Sequence, residues 1–360
     1  MKNWRDRRIL DLFGIELPII QAPMTTVVTP DMVAAVAAAG GLGSLPLTML
    51  SPHQAQEALG AIRRRTSAPI NVNFLCHVPA VDPARERAWR HRLAPYYVEL
   101  GLDPEMQLTL APIPPFGSTQ CELLEELKPE IVSFHRGLPS EKLLERVKTT
   151  GAKILSSATT VKEALWLEER GCAAVIAQGS EAGGHRGTFL PGDVSTQTGI
   201  AALVPQIADA VKVPVIAAGG IADARGIAAA FALGASAVQM GTAYLFCPEA
   251  SVPPVYRQAL KSAREDQTAI TNVFTGLPAR VIVTRIVREL APFAAEIPPF
   301  PFPAAALAPL RSKSEPSGST DFVPLWCGQA AHLGRELEAG ELTRRLADEC
   351  LTCAPSKSRC

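Results

Sequence analysis

At 360 residues and 47% hydrophobic content, the chain is long enough for one large core or two smaller ones. Lys plus Arg and Asp plus Glu each count 35, a formal charge of zero, and no basic run marks a nucleic-acid face, which argues against a general polyanion binder. The long apolar stretches are cut by Gly or Pro and Met1 to Leu10 is charged, so neither a membrane span nor a secretory signal is expected, and the scattered single cysteines fit reduced thiols in the cytoplasm.

In chain order, Leu17 to Ala22 is a short apolar run broken by Pro23-Met24. Thr29-Pro30-Asp31 opens a helix, with Thr as N-cap and Pro at the first helical position, and Gly40-Gly41 stops it. Leu42 to Leu45 reads as a second strand, Ser51-Pro-His-Gln54 as a capping box starting a helix to about Arg65, and Pro69 to Phe74 as a third strand. Residues 79–127 are longer than a β–α link. They carry a charged helix from Pro83 to about Gly101 and a Pro-rich stretch from Ala111 to Gly117, an excursion over a rim. Ile131 to Phe134, Ala152 to Leu155, Ala173 to Ala177, Val213 to Ala217 and Ala237 to Met240 complete eight runs, with Thr160-x-x-Glu163 as a further capping box.

Eight apolar runs alternating with helical patterns predict a (β/α)8 TIM barrel over 1–250, although periodicity does not by itself distinguish closure from an open doubly wound sheet. Beyond Ala250 the alternation stops. Ser251 to Leu290 reads as mixed helical, Ala291 to Ser319 as a Pro- and Ser-rich connection, and Gly334 to Cys350 as a charged amphipathic helix; together 251–360 form an added, mainly helical C-terminal subdomain. Cys350-x-x-Cys353 has metal-ligand spacing but no second pair, and Cys360 adds none, so a frayed tail is the expectation and no metal site is assigned.

The chemistry gathers at strand exits. Gln178 to Gly187 places four glycines, a Gln, a Glu, an Arg and His185 in ten residues after a strand, where barrels hold ligands; the alternative is a tight loop with a merely exposed His. Gly219-Gly220 and Gly241-Thr242 follow the last two strands and suit a phosphate held by backbone N–H groups, or simply tight turns. Neither fits a nucleotide-fold or P-loop string. Gln21, Asn73, His135 and Gln178 offer neutral hydrogen-bonding groups for a heteroaromatic ring, and Met24 a soft thioether. With no nucleophile–base motif, His185 is best cast as a base or donor beside a redox cofactor.

Several strings then make the chain similar to the nitronate monooxygenase (2-nitropropane dioxygenase) family of flavin enzymes on a (β/α)8 barrel. They are Gln21-Ala-Pro-Met24, Ala39-Gly-Gly-Leu-Gly43, Val72-Asn-Phe74, Ser133-Phe-His135, Gln178 to Gly187, Ala217 to Asp223, Val238-Gln-Met-Gly-Thr242, Thr271 to Arg280 and Pro324-Leu-Trp-x-Gly-Gln329. The resemblance implies FMN held by Gln21, Ala22, Pro23, Met24, Asn73, Gln178, Gly183, Gly219, Gly220, Gln239, Met240, Gly241 and Thr242, with His185 as the catalytic imidazole. It also implies His135, Arg136, Trp326 and Gln329 around the substrate. The implied reaction is oxidation of alkyl nitronates, or nitroalkanes, by dioxygen to a carbonyl compound and nitrite. A flavin-dependent enoyl-carrier-protein reductase, an NAD(P)H:quinone reductase and a flavin-binding sensor or partner module are the alternatives. Two departures stand out. Thr25-Thr26 replaces small residues after the Met, and Arg136 replaces an aromatic after His135, adding a cation that suits an anionic substrate.

Overall fold

The computed structural model describes residues 4–78, 80–109, 113–290, 292–294 and 296–353, without the Cys353 side chain. Parts of the expected 111–117 stretch, Ala291, and Cys360 lie outside the described residues, as does the Cys353 thiol.

Eight parallel strands carry the barrel: β1 (Ile19–Gln21), β2 (Gly43–Pro46), β3 (Ile70–Leu75), β4 (Ile131–His135), β5 (Lys153–Ala158), β6 (Ala174–Gln178) and, beyond the two-residue β7 (Gly184–His185), β8 (Val215–Ala218) and β9 (Ala237–Met240). They pair in the order β1-β9-β8-β6-β5-β4-β3-β2. The ring closes where Gln21 N donates to Leu42 O at 2.9 Å and Leu42 N to Ile19 O at 3.0 Å, which removes the open-sheet alternative. Burial on both faces explains why β6 is a continuous apolar run rather than an alternating one.

Helices α1 (Arg8–Phe13), α2 (Pro30–Ala38), α3 (Pro52–Arg63), α4 (Pro83–Glu99), α5 (Ser118–Leu127), α6 (Glu141–Thr149), α7 (Val161–Glu169), α8 (Ile200–Ala210) and α9 (Ala224–Ala232) belong to this part of the chain. Their starts follow cap chemistry. Thr29 accepts from Met32 N, Ser51 and Gln54 form a full capping box, and Asp223 accepts from Arg225 N and Gly226 N. The Thr160–Glu163 box forms on one side only. Thr160 caps Glu163 N at 3.1 Å, but the buried Glu163 carboxylate instead takes Thr159 N and Oγ1 and, 26 and 27 residues on, Phe189 N at 2.8 Å and Leu190 N at 3.1 Å. A local signal has been diverted to hold the segment beyond His185.

After Ala250 the structure departs from the mixed-helical expectation. α10 (Pro254–Ser262) is followed by β10 (Thr268–Thr271) and β11 (Ala279–Ile282), then α11 (Arg285–Leu290), α12 (Phe302–Ser314) and α13 (Ala339–Cys353). α12 occupies the middle of the expected Pro-rich connection. A helix can start at Phe302 because Pro303 sits in the first turn, where N–H groups have no intrahelical partner. A second core gathers Trp89, Leu93 and Tyr97 of α4 with Val281, Ile286, Leu310 and Phe322, and Tyr97 Oη donates to Ala306 O at 2.5 Å. α13 returns to the barrel, where Leu342 and Leu346 join the main core and Thr343 bonds Tyr244 at 2.8 Å. Among the described residues no helix is long and apolar enough to cross a membrane.

Gly43 shows how close the barrel wall runs to α2: a Cβ there would meet the Val33 carbonyl group. Gly43→Ala is expected to destabilise the fold by roughly 1–3 kcal/mol through overpacking against backbone, read as a lower thermal midpoint by calorimetry, with an unchanged midpoint refuting the close approach.

Candidate active site

A cavity of about 840 Å³ opens at the carboxyl ends of the barrel strands. Ala22, Pro23, Met24, Asn73, Gln178, Gly183, Gly219, Gly220, Gln239, Gly241 and Thr242 line it, together with His135, His185 and Trp326. Four expected residues do not. Gln21 is fully buried; its Oε1 accepts from Ser44 N at 2.9 Å and its amide bonds the Ala22 carbonyl, so it ties β1 to β2 behind the wall. Met240 points into the core. Arg136, in left-handed backbone at φ 67°, reaches the Arg186 carbonyl at 3.4 Å. Gln329 donates its backbone N–H to Glu181 O at 3.0 Å. Gln21 and Met240 are buried behind the cavity lining, and Arg136 and Gln329 are half-buried beside it.

His185 is placed by three sets of contacts. As part of β7 it pairs with Ala279 of β11, an antiparallel edge outside the barrel. Its carbonyl accepts from His135 Nε2 at 3.0 Å and Gln178 Nε2 at 3.1 Å, while Gln178 Oε1 accepts from Gly187 N at 2.7 Å. Its ring lies 5.1 Å from that of Trp326, tilted 39°, and its Nε2 is 2.9 Å from Thr275 Oγ1. The Thr275 hydroxyl also reaches the Leu277 carbonyl at 3.4 Å. Donating there, it accepts from Nε2–H and leaves the lone pair on Nδ1, which has no hydrogen-bond partner among the described residues.

Behind the loop, Arg186 is fully buried. Its guanidinium donates to Gln197 Oε1 at 2.6 Å, Gly179 O at 2.6 Å and Ala182 O at 3.0 Å. Arg280 donates to Ser180 O at 2.8 Å, and Glu181 accepts from Ile200 N at 2.9 Å at the start of α8. At the adjoining wall, packed against this loop, Gly219 at φ 122° and Gly220 at φ 66° turn the chain in backbone that favours glycine, and the buried Oε1 of Gln239 is without a partner among the described residues. Thr242 Oγ1 accepts from Gly328 N at 2.9 Å, linking that wall to the segment carrying Trp326.

Against known families, a nitronate monooxygenase model matches residues 6–349. The chain belongs to the nitronate monooxygenase family. It is 44% identical over 345 residues to the nitronate monooxygenase of Pseudomonas aeruginosa, covering 95% of this chain and 98% of that one. Among solved structures, the nitroalkane oxidase of Streptomyces ansochromogenes is 34% identical with a TM-score of 0.88, covering 97% of this chain and all of that one. FabK of Thermotoga maritima is 30% identical with a TM-score of 0.73, covering 97% and 96%.

Within this family member, sequence reasoning missed Phe274, Thr275, Tyr256 and the α12 residues Ala304, Leu307 and Ala308, all of which line the cavity. Thr275 was within a matching string but carried no separate signal; the α12 positions lay in a stretch read as connection.

Burial and the neighbouring Arg136 push the His185 imidazole down from 6.5 to about 4. Burial first, then His185 and Arg136, push His135 down to about 3. Both rings are therefore neutral near neutral pH. The unfolded chain takes up their protons from about 6.5 downward, while the folded protein does not until about 4 and 3. Unfolding thus binds protons across that window, and stability is full above it and falls as pH drops through it. The thermal midpoint should decline between pH 6.5 and 4, and His135→Gln should make that decline shallower in a calorimetric pH series; an identical slope would refute the assignment.

Proposed function

We propose that the protein is an FMN-dependent oxidase of alkyl nitronates, using dioxygen and yielding a carbonyl compound and nitrite. The observation that carries this reading is the neutral His185, its Nδ1 unpartnered among the described residues, on the cavity that Gly219 and Gly220 also line. The glycine turn and the unpartnered Gln239 Oε1 fit FMN: backbone N–H groups for its phosphate, and amides at Asn73, Gln178 and Gln239 for its ring edge. When bound, the flavin supplies the electron acceptor and the place where dioxygen is reduced.

The chain's own residues handle charge and protons. With a neutral nitroalkane, His185 Nδ1 takes the α-proton and the resulting Nδ1–H then faces the nitronate oxygens. With a preformed nitronate, Thr275 can donate to Nε2 instead, so that Nδ1 carries the hydrogen and binds the anion. Arg136, beside the cavity, adds positive potential for an anionic substrate. Trp326 and Phe274, with ring centroids 5.9 Å apart, wall off water beside the imidazole. In this reading residues 1–250 hold the flavin and 251–360 close the substrate side, and unpaired thiols at Cys76, Cys121, Cys172, Cys247 and Cys327 favour the cytoplasm. The reductive alternatives have less support, since the likeness to FabK is weaker than that to the nitroalkane oxidase.

His185→Asn should lower turnover of nitroethane by roughly 10²–10⁴-fold and of ethylnitronate far less, because its proton is already gone and Asn still donates a hydrogen bond. Steady-state kinetics at matched flavin loading reads the difference; equal losses would leave His185 a binding group only. Gly220→Asp puts a side chain and an anion on left-handed backbone, with its Cβ 3.2 Å from that of Glu181. Heat-released flavin should then fall well below the wild-type ratio, and an unchanged ratio would move the phosphate elsewhere.

A further inference from the structure

The helix that replaces the expected Pro-rich connection forms one side of the His185 cavity. Ala304, Leu307, Ala308 and Arg311 of α12 line it. Their spacing of three, four and seven residues puts them on a single helical face, and seven residues of helix span about 10 Å. Phe300 and Phe322 line the same cavity. Between Phe300 and Arg311 this face offers no side-chain hydrogen-bonding group. Two of its positions are alanines, Ala304 exposed and Ala308 half-buried, so neither is sealed by packing. At the far end Arg311 is exposed and makes no side-chain hydrogen bond or ion pair with the described residues. On this side the lane gives ordered water no side chain to hold, and it suits an apolar group.

We propose that this lane is a subsite for the alkyl chain of the substrate. The nitro end lies at His185, the chain follows α12 past Ala304 and Ala308 toward Arg311, and the two alanines set the length accepted. The protein then favours medium-chain nitronates over the shortest ones. The inference rests on the nitronate reading for the identity of the head group, and on the cavity wall alone for the chain.

The test uses the flavin-loaded protein with ethyl-, butyl-, hexyl- and octylnitronate, together with titration calorimetry of the matching alkyl carboxylates as unreactive planar anions. In the wild type, kcat/KM and carboxylate affinity should both rise with chain length until the lane is filled. The upper bound is about fourfold per methylene, the factor equivalent to ~0.8 kcal/mol for each buried CH2. Ala308→Phe should collapse the octyl-to-ethyl ratio in both measurements. Ala304→Leu, at an exposed position, serves the same purpose if the first variant does not fold. A flat wild-type series with ethylnitronate turned over overturns the lane and leaves the nitronate reading standing. No turnover of any nitronate overturns that reading, and the carboxylate series then decides the lane alone: rising affinity supports it, flat affinity refutes it. A chain-length slope that survives both substitutions also refutes it.

Discussion

Arg186 carries a full charge in the protein interior and wraps the backbone carbonyls of Gly179 and Ala182 around it. Burial, with Arg280 nearby, draws its guanidinium down only to about 9, so it stays protonated at neutral pH. A buried cation of this kind is tolerated only when its donors are satisfied. Here the satisfying groups are carbonyls of the loop that ends in His185, together with the Gln197 side chain. The charge therefore favours a loop shape that turns these carbonyls toward it, and Arg280 on Ser180 and Glu181 on the first turn of α8 constrain the same loop. This arrangement shapes the loop, and the contacts of His185 itself, with Thr275, Trp326 and Ala279, place the imidazole on it.

The barrel alone does not complete the site. β7 is only two residues long and exists because β11 pairs with it, and β11 in turn is held by β10. Tyr256, from α10, bonds the Trp326 carbonyl, and the Trp326 ring lies against His185. Thus the segments after residue 250 supply the sheet edge, the aromatic wall and the hydroxyl of Thr275. The barrel supplies the glycine turns and the amides. Residues from both parts of the chain thus line one cavity and meet at His185.

Neutral histidines suit this division. A protonated His185 would have no lone pair for a substrate proton, and desolvation disfavours that form. His135 is neutral for the same reason and acts through a hydrogen bond rather than a charge: Ser157 Oγ at 2.9 Å meets Nδ1, and Nε2–H is directed at the His185 carbonyl. The Glu163 carboxylate, four backbone and side-chain donors around it, fixes the next stretch of chain.

The barrel was legible in the sequence because its causes are local. A parallel strand buried on both faces must be apolar throughout, a helix start must satisfy its free N–H groups, and both requirements are written within about ten residues. The glycine turns and His185 were legible for a related reason, since left-handed backbone restricts residue type. Gln21, Met240, Arg136 and Gln329 sit in or beside the matching strings yet do not line the cavity. Which way a side chain points at a strand exit is set by the neighbouring strand, not by the string. α12 was hidden because its prolines fit a connection as well as a helix, and only packing against α4 and Phe322 selects the helix. By itself the sequence determined the alternation, the turns and the one imidazole. The tertiary structure decided which residues face the cavity, because β11, Thr275 and Trp326 reach His185 from about 90 to 140 residues away through contacts no local pattern encodes.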